Sequence, residues 1–160
     1  MEDLWTPWRM QYILANKDTT ECIFCWKGRD DSHDQLILRH GRFTFTILNL
    51  YPYTVGHLMV IPYRHLPRLS ALNPEERDEL SRSLRQAERL LRAASGARYF
   101  HAGINLGRAA GAGVDGHLHA HLVPRDTRDD WSRGPAGPEG LPVSCEETYA
   151  RLLTHFTAEV

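Results

Sequence analysis

Three histidines separated by single apolar residues are the feature of this 160-residue chain that most directly suggests chemistry. They are His117, His119 and His121. Side chains alternate between the two faces of an extended strand, so we expect the three imidazoles on one face and an apolar row on the other. A neutral imidazole near pH 7 can serve as a nucleophile, a proton carrier or a metal ligand. The spacing therefore predicts a reactive site on one face of a strand over residues 117–123.

A second cluster of potential ligands begins with Cys22 and Cys25, whose spacing lets two thiolates face one metal ion. A redox pair or simple burial would suit the same spacing. A structural zinc site needs four ligands, and the candidates for the other two are His65, at the end of a predicted strand, and His117. We therefore predict zinc as a structural cofactor bound by Cys22, Cys25, His65 and His117.

The size and charge of the chain limit the classes of protein to which it can belong. A length of 160 residues fits a single domain over residues 1–160. The net charge of −1 gives no support for a surface that binds nucleic acid. No stretch approaches the roughly 20 apolar residues of a membrane span, so no membrane partner is expected. Three cysteines are too few for a disulfide framework, and we expect a reduced protein in the cytoplasm.

The elements that must position these residues are short strands and two helices. Asn73, Pro74 and Glu76 are typical of a helix start, and apolar residues at helical spacing extend that helix to Ser95. A capping box at residues 144–147 opens a final helix that ends near residue 156. Strands are predicted over residues 35–40, 42–48, 56–62, 99–106 and 117–123. Their order and short connections predict an α+β fold with an antiparallel sheet of about five strands.

Three segments outside these elements complete the domain. An aromatic N-terminal arm covers residues 1–20, and an irregular loop rich in Asp, Arg, Gly and Pro covers residues 126–143. A loop with four glycines over residues 107–116 immediately precedes the histidine strand. Because glycine lets backbone N–H groups approach phosphate oxygens closely, Gly111 and Gly113 are candidate phosphate-binding residues.

Together these motifs resemble the histidine-triad family of nucleotide hydrolases and transferases, whose signature alternates histidine with apolar residues. Segments that resemble one branch of this family lie at residues 4–10, 22–25, 47–65, 111–113 and 146–149. That branch contains relatives of diadenosine polyphosphate hydrolases and phosphorylases. The resemblance implies a homodimer, to which the N-terminal arm could contribute, and the same four zinc ligands. It also implies cleavage of a diadenosine polyphosphate or another adenylylated compound.

The resemblance also implies a role for each residue of the site. His119 would attack the α-phosphorus of a nucleotide and form a covalent nucleotidyl-histidine, which water or phosphate then cleaves. A backbone carbonyl would hold its far ring nitrogen. His121 would contact phosphate oxygens or assist the leaving group, and His57 matches an auxiliary histidine near the phosphates. Asn49 matches a position near the ribose, although it could simply form a turn.

Other functions are compatible with the same residues. A catalytic zinc held by His117, His119 and perhaps His57 would use a bound water as nucleophile, although the cysteine pair argues against it. A non-catalytic nucleotide-binding protein is a further alternative. The chain departs from the branch pattern at Gly113, at Gly116 and over residues 126–131, which makes a specialised nucleotide-processing enzyme of a biosynthetic pathway another possibility.

Overall fold

A computed structural model describes residues 22–29, 36–126 and 143–157 of the chain. A five-stranded sheet forms its centre, in the order β1-β2-β3-β5-β4, and every neighbouring pair is antiparallel. The strands are β1 (Ile37–His40), β2 (Thr44–Leu48), β3 (Leu58–Pro62), β4 (Tyr99–Ile104) and β5 (Ala120–Arg125). The helices are α1 (Ile23–Arg29), α2 (Pro74–Ser95) and α3 (Cys145–Thr157), with short 3₁₀ turns at Leu69–Ala71 and Arg108–Ala110. The predicted antiparallel α+β fold is confirmed.

The long helix α2 begins where its sequence predicts. The backbone N–H of Glu76 donates to Asn73 Oδ1 at 2.8 Å, and the backbone N–H of Asn73 donates to a Glu76 carboxylate oxygen at 2.9 Å. This reciprocal pair satisfies two of the four N–H groups that a helix start leaves without partners in the helix. The helix ends at Gly96, whose φ of 70° lies in the left-handed region that favours glycine.

The sheet separates two apolar layers. The layer under α2 and α3 is formed by Leu38, Leu48, Leu58, Ala87, Leu90, Leu91, Leu122, Leu152 and Phe156. The layer on the opposite face, beneath α1, is formed by Phe24, Ile37, Phe45, Ile47, Met59 and Ile61. His121 pairs with Met59 across β5 and β3, so its side chain belongs to the face that α1 covers. The strong burial of both faces stabilises the sheet and fixes the strand register.

The predicted strand over residues 117–123 is wrong at its start, since β5 begins only at Ala120. The pairing of β3 with β5 stops at Val60 and Ala120, two residues before β3 ends, and the carbonyl of Pro62 bonds instead to the His117 side chain. Leu118 N–H donates to the carbonyl of Leu66 at 2.7 Å. His117 and His119 therefore lie in the segment before the strand; Leu118 and Ala120 are buried, and Ala120 packs with Val60 and Leu80.

Several predicted boundaries lie outside the described residues, including the N-terminal arm and nearly all of the loop over residues 126–143. The sequence did not predict α1. No helix within the described ranges has the length and apolar character needed to cross a lipid bilayer.

Candidate active site and metal centre

Four donor atoms converge beside the sheet, and they are the four predicted zinc ligands. One donor atom each from Cys22, Cys25, His65 and His117 lies within 4.8 Å of all the others. The thiol sulfur lies 3.4 Å from the imidazole nitrogen for Cys22 and His117, 3.3 Å for Cys25 and His65, and 3.6 Å for Cys25 and His117. Tetrahedral zinc with ordinary Zn–S and Zn–N bond lengths separates sulfur from nitrogen by about 3.6 Å. The donor set and its spacing therefore fit zinc.

His117 is oriented for metal binding by its second ring nitrogen. Its Nε2 lies 2.8 Å from the carbonyl oxygen of Pro62, to which it donates, so Nδ1 faces the thiols. Burial lowers the pKa of His117 to about 4 and keeps the ring neutral near pH 7. A neutral imidazole whose far N–H is bound to a carbonyl is the usual form of a histidine ligand.

His119 is also held through Nδ1, which donates to the backbone carbonyl of His117 at 2.7 Å. The proton on Nδ1 leaves the lone pair of a neutral ring on Nε2, so Nε2 is the nitrogen that can attack an electrophile. The ring centroid lies 5.1 Å from that of Phe24 and 4.9 Å from that of His121. The predicted carbonyl contact is thus present, and a single residue, His117, connects the metal group to His119.

A chain of hydrogen bonds determines which nitrogen of His121 carries the proton. The backbone N–H of Tyr53 donates to His57 Nδ1 at 3.1 Å, and a backbone amide cannot accept. The neutral His57 ring therefore carries its proton on Nε2, which lies 3.0 Å from His121 Nδ1. His121 Nδ1 accepts that proton, so the neutral His121 ring carries its own proton on Nε2. The pair thus places a proton donor, His121 Nε2, beside the nucleophile.

The two histidines open onto a cavity of about 210 Å³ between α1 and the sheet. Its lining is largely apolar and consists of Ile23, Phe24, Trp26, Lys27, Leu36, Ile47, Leu48, Asn49, Leu50, Tyr51, Met59, Gly113, Val114, His119 and His121. A mainly apolar cavity with a few convergent polar groups is typical of a small-molecule site. Its polar groups include a nucleophilic imidazole and a donating imidazole, a combination suited to attack on phosphorus.

The predicted substrate-binding residues are only partly brought together. Gly113 lines the cavity, whereas Gly111 is absent from the lining, has a φ of 84°, and accepts from Asn105 Nδ2 at 3.5 Å. Asn49 lines the cavity and also forms a turn, since its Oδ1 accepts the N–H of Tyr51 at 3.0 Å. Both interpretations of Asn49 therefore have a structural basis.

The catalytic-zinc alternative required His119 and perhaps His57 as ligands. Within the described residues, the group that could hold a metal contains His117 but neither of those two. Sequence reasoning missed the cavity wall formed by α1. The sequence feature that indicates this wall is the spacing of Ile23, Trp26 and Lys27, which would place three side chains on one face of a short helix.

Comparison with known proteins relates the chain to proteins that act on nucleotides. The HIT domain family matches residues 31–128. An AP-4-A phosphorylase of Mycobacterium tuberculosis is 35% identical over 168 aligned residues, which cover 99% of this chain and 86% of the relative. An asymmetrical bis(5'-nucleosyl)-tetraphosphatase of Schizosaccharomyces pombe is 35% identical over 88 residues, which cover 55% of this chain and 48% of that protein. The crystal structure of a zinc-bound histidine triad family protein from Mycobacterium smegmatis matches with a TM-score of 0.65 and 28% identity, covering 87% of this chain and 98% of the other.

Proposed function

The chain belongs to the HIT domain family, and from this membership we propose that it cleaves a nucleotide phosphoanhydride or phosphoester through a nucleotidyl-histidine at His119. It is a nucleotidyl hydrolase or transferase. The observation that carries the proposal is the bond from His119 Nδ1 to the carbonyl of His117. That bond directs the lone pair of Nε2 into a cavity where His121 presents a proton.

The proposed reaction has two steps at the α-phosphorus of the nucleotide. His119 Nε2 forms a bond to phosphorus, and the bond from phosphorus to the leaving oxygen breaks with its electron pair on that oxygen. The leaving oxygen accepts a hydrogen bond from His121 Nε2, which stabilises the negative charge that develops on it, while His121 keeps its proton and stays neutral. The leaving group departs as its anion, and the incoming acceptor releases its proton to solvent. Water or phosphate attacks phosphorus in the second step and breaks the P–N bond, which restores the neutral His119 ring.

We propose zinc as a structural ion held by Cys22, Cys25, His65 and His117. The donor spacing and the neutral His117 ring support this assignment. When bound, zinc would link the start of α1 to the segment before β5. His117 then presents its carbonyl to His119 from a fixed position.

We further propose a homodimer in the cytoplasm. The strand β4 is an edge of the sheet, and its exposed residues include Tyr99, which is 54% exposed. An exposed edge strand presents backbone N–H and C=O groups that a second copy could pair. The three free cysteines suit a reducing compartment, where thiolates remain available to a metal.

Product analysis tests the proposed function. Wild-type protein and His119→Ala are incubated with diadenosine tetraphosphate and with adenosine 5'-phosphoramidate, each with and without phosphate, and products are separated by liquid chromatography. We expect turnover by wild type only, with AMP marking hydrolysis and phosphate-dependent ADP marking phosphorolysis. Full activity of His119→Ala would refute the nucleophile. Nucleotide binding without any turnover would favour a non-catalytic binding protein instead.

A further inference from the structure

We propose that Trp26 and Lys27 bind the leaving half of a dinucleoside polyphosphate, with the indole stacking on its base and the ammonium contacting its phosphates. This inference rests on the proposed function, because it concerns the group that His119 would expel. It makes the two residues determinants of substrate choice. Neither needs to touch the reacting phosphorus.

The first argument is the geometry of α1. Ile23, Trp26 and Lys27 lie at i, i+3 and i+4, and all three line the cavity that contains His119. Trp26 is 47% exposed, so its ring stands at the mouth of the cavity while Phe24 is buried against His119. Cys25, one of the four grouped donors, directly precedes Trp26, so a metal ion bound by that group would hold the backbone that carries the ring. The indole is thus a preorganised stacking surface.

The second argument is size. The cavity of about 210 Å³ falls below the roughly 300–1,000 Å³ of sites that enclose a drug-sized ligand. It can enclose part of a dinucleotide but not the whole molecule. If one nucleoside occupies the apolar interior beside His119, the rest of the bound dinucleotide must extend out of the cavity over its rim. Trp26 and Lys27 stand at that rim.

The third argument is charge. Among the described residues that line the cavity, Lys27 is the one whose side chain carries a permanent charge, and none is a carboxylate. Its Nζ lies 5.7 Å from the centroid of the Trp26 ring, within the range of a cation–π contact. An ammonium beside an aromatic face matches the alternation of phosphate and base in a nucleotide.

The experiment compares kcat/KM for two substrates that share the adenylyl half and differ in the leaving group. Diadenosine tetraphosphate has a nucleotide leaving group, and adenosine 5'-phosphoramidate has a small one. We expect Trp26→Ala to lose about ten-fold or more on the dinucleotide, as expected for one base stack, and to change less than about two-fold on the phosphoramidate. Trp26→Phe should recover most of the loss. Lys27→Ala should show the same selectivity, Lys27→Arg should recover activity, and the loss should shrink as salt rises.

The matched control is Leu69→Ala, which removes another exposed apolar side chain, 45% exposed, from a distant 3₁₀ turn. It should leave both activities unchanged. An equal loss on both substrates for Trp26→Ala, or no loss on either, would overturn the inference while the proposed function stands. Wild-type protein that cleaves only the phosphoramidate would also overturn it. Wild-type protein that cleaves neither compound would refute the proposed function and this inference together.

Discussion

Replacement of His57 should change catalysis in a way that depends on the leaving group. The His57 ring is fully buried. Its Nδ1 accepts from the backbone N–H of Tyr53 and its Nε2 donates to His121 Nδ1, so the neutral His121 ring carries its proton on Nε2. Loss of the ring removes the bond that keeps the proton of His121 on Nε2. A leaving group on which much negative charge develops needs the hydrogen bond from His121 Nε2 and should react more slowly without it, whereas one that departs as a stable anion should be affected less.

The magnitude follows from the contacts. His57→Ala removes the acceptor of the half-buried Tyr53 N–H and the donor to the buried His121 Nδ1, at a cost of about 1–3 kcal/mol for the buried group. Loss of a positioned hydrogen-bond donor to the departing group lowers the rate by roughly 10²–10³-fold. We expect that loss in kcat/KM for adenosine 5'-phosphoramidate, whose amine is strongly basic. The loss should stay below about ten-fold for the adenylyl ester of p-nitrophenol, since nitrophenolate leaves without a proton.

Two amide substitutions separate stability from catalysis at this position. The oxygen of His57→Asn stands near the place of Nδ1 and can accept from Tyr53, so stability should be largely retained while the fixed hydrogen bond from His121 Nε2 to the leaving group is lost. The amide nitrogen of His57→Gln stands near the place of Nε2 and can donate to His121, so more activity on the phosphoramidate should remain. Stability is measured by chemical unfolding and activity by initial rates. An equal loss on both substrates for all three variants would refute the tautomer argument.

Three further predictions concern metal, charge and assembly. Cys25→Ser should reduce bound zinc from about one ion per chain to well below that and lower Tm by more than about 5 °C, whereas Cys145→Ser should do neither, as measured by metal analysis and calorimetry. The Arg64 guanidinium holds the pKa of Glu76 below its usual range, so this carboxylate stabilises the fold above about pH 4.5 and loses that effect as pH falls. Glu76→Gln should therefore lower Tm by about 2–4 °C at pH 7 with a difference that narrows in acid; a constant difference would contradict this. Tyr99→Asp should shift the protein from dimer to monomer in sedimentation, and an unchanged mass would argue against pairing through β4.

Local signals explain the part of the fold that the sequence could predict. Asn73 and Glu76 are three residues apart and cap each other, so the start of α2 depends on no distant contact. The continuous apolar run of β3 likewise indicates a strand that is buried on both faces. The zinc group was predictable for a different reason, because few residue types bind zinc and the spacing of Cys22 and Cys25 restricts the search.

Features that depend on tertiary contacts were not predictable. The helix α1 has seven residues, too few for a clear periodicity, and its position follows from Phe24 packing on the sheet and from the grouped thiols. The start of β5 depends on bonds from His117 and Leu118 to the carbonyls of Pro62 and Leu66, which are far away in sequence. The proton position on His121 depends on Tyr53 through a backbone group that has no sequence signature.

The most direct test of the central claim is identification of the covalent intermediate. Wild-type protein is mixed with diadenosine tetraphosphate, quenched in base, where phosphoramidate bonds to histidine persist, and digested for mass spectrometry. We predict one AMP group on the peptide that contains residues 117–125, located at His119 and absent from His119→Ala. An AMP group on His121 or His57, or steady turnover by His119→Ala, would contradict the assignment of the nucleophile.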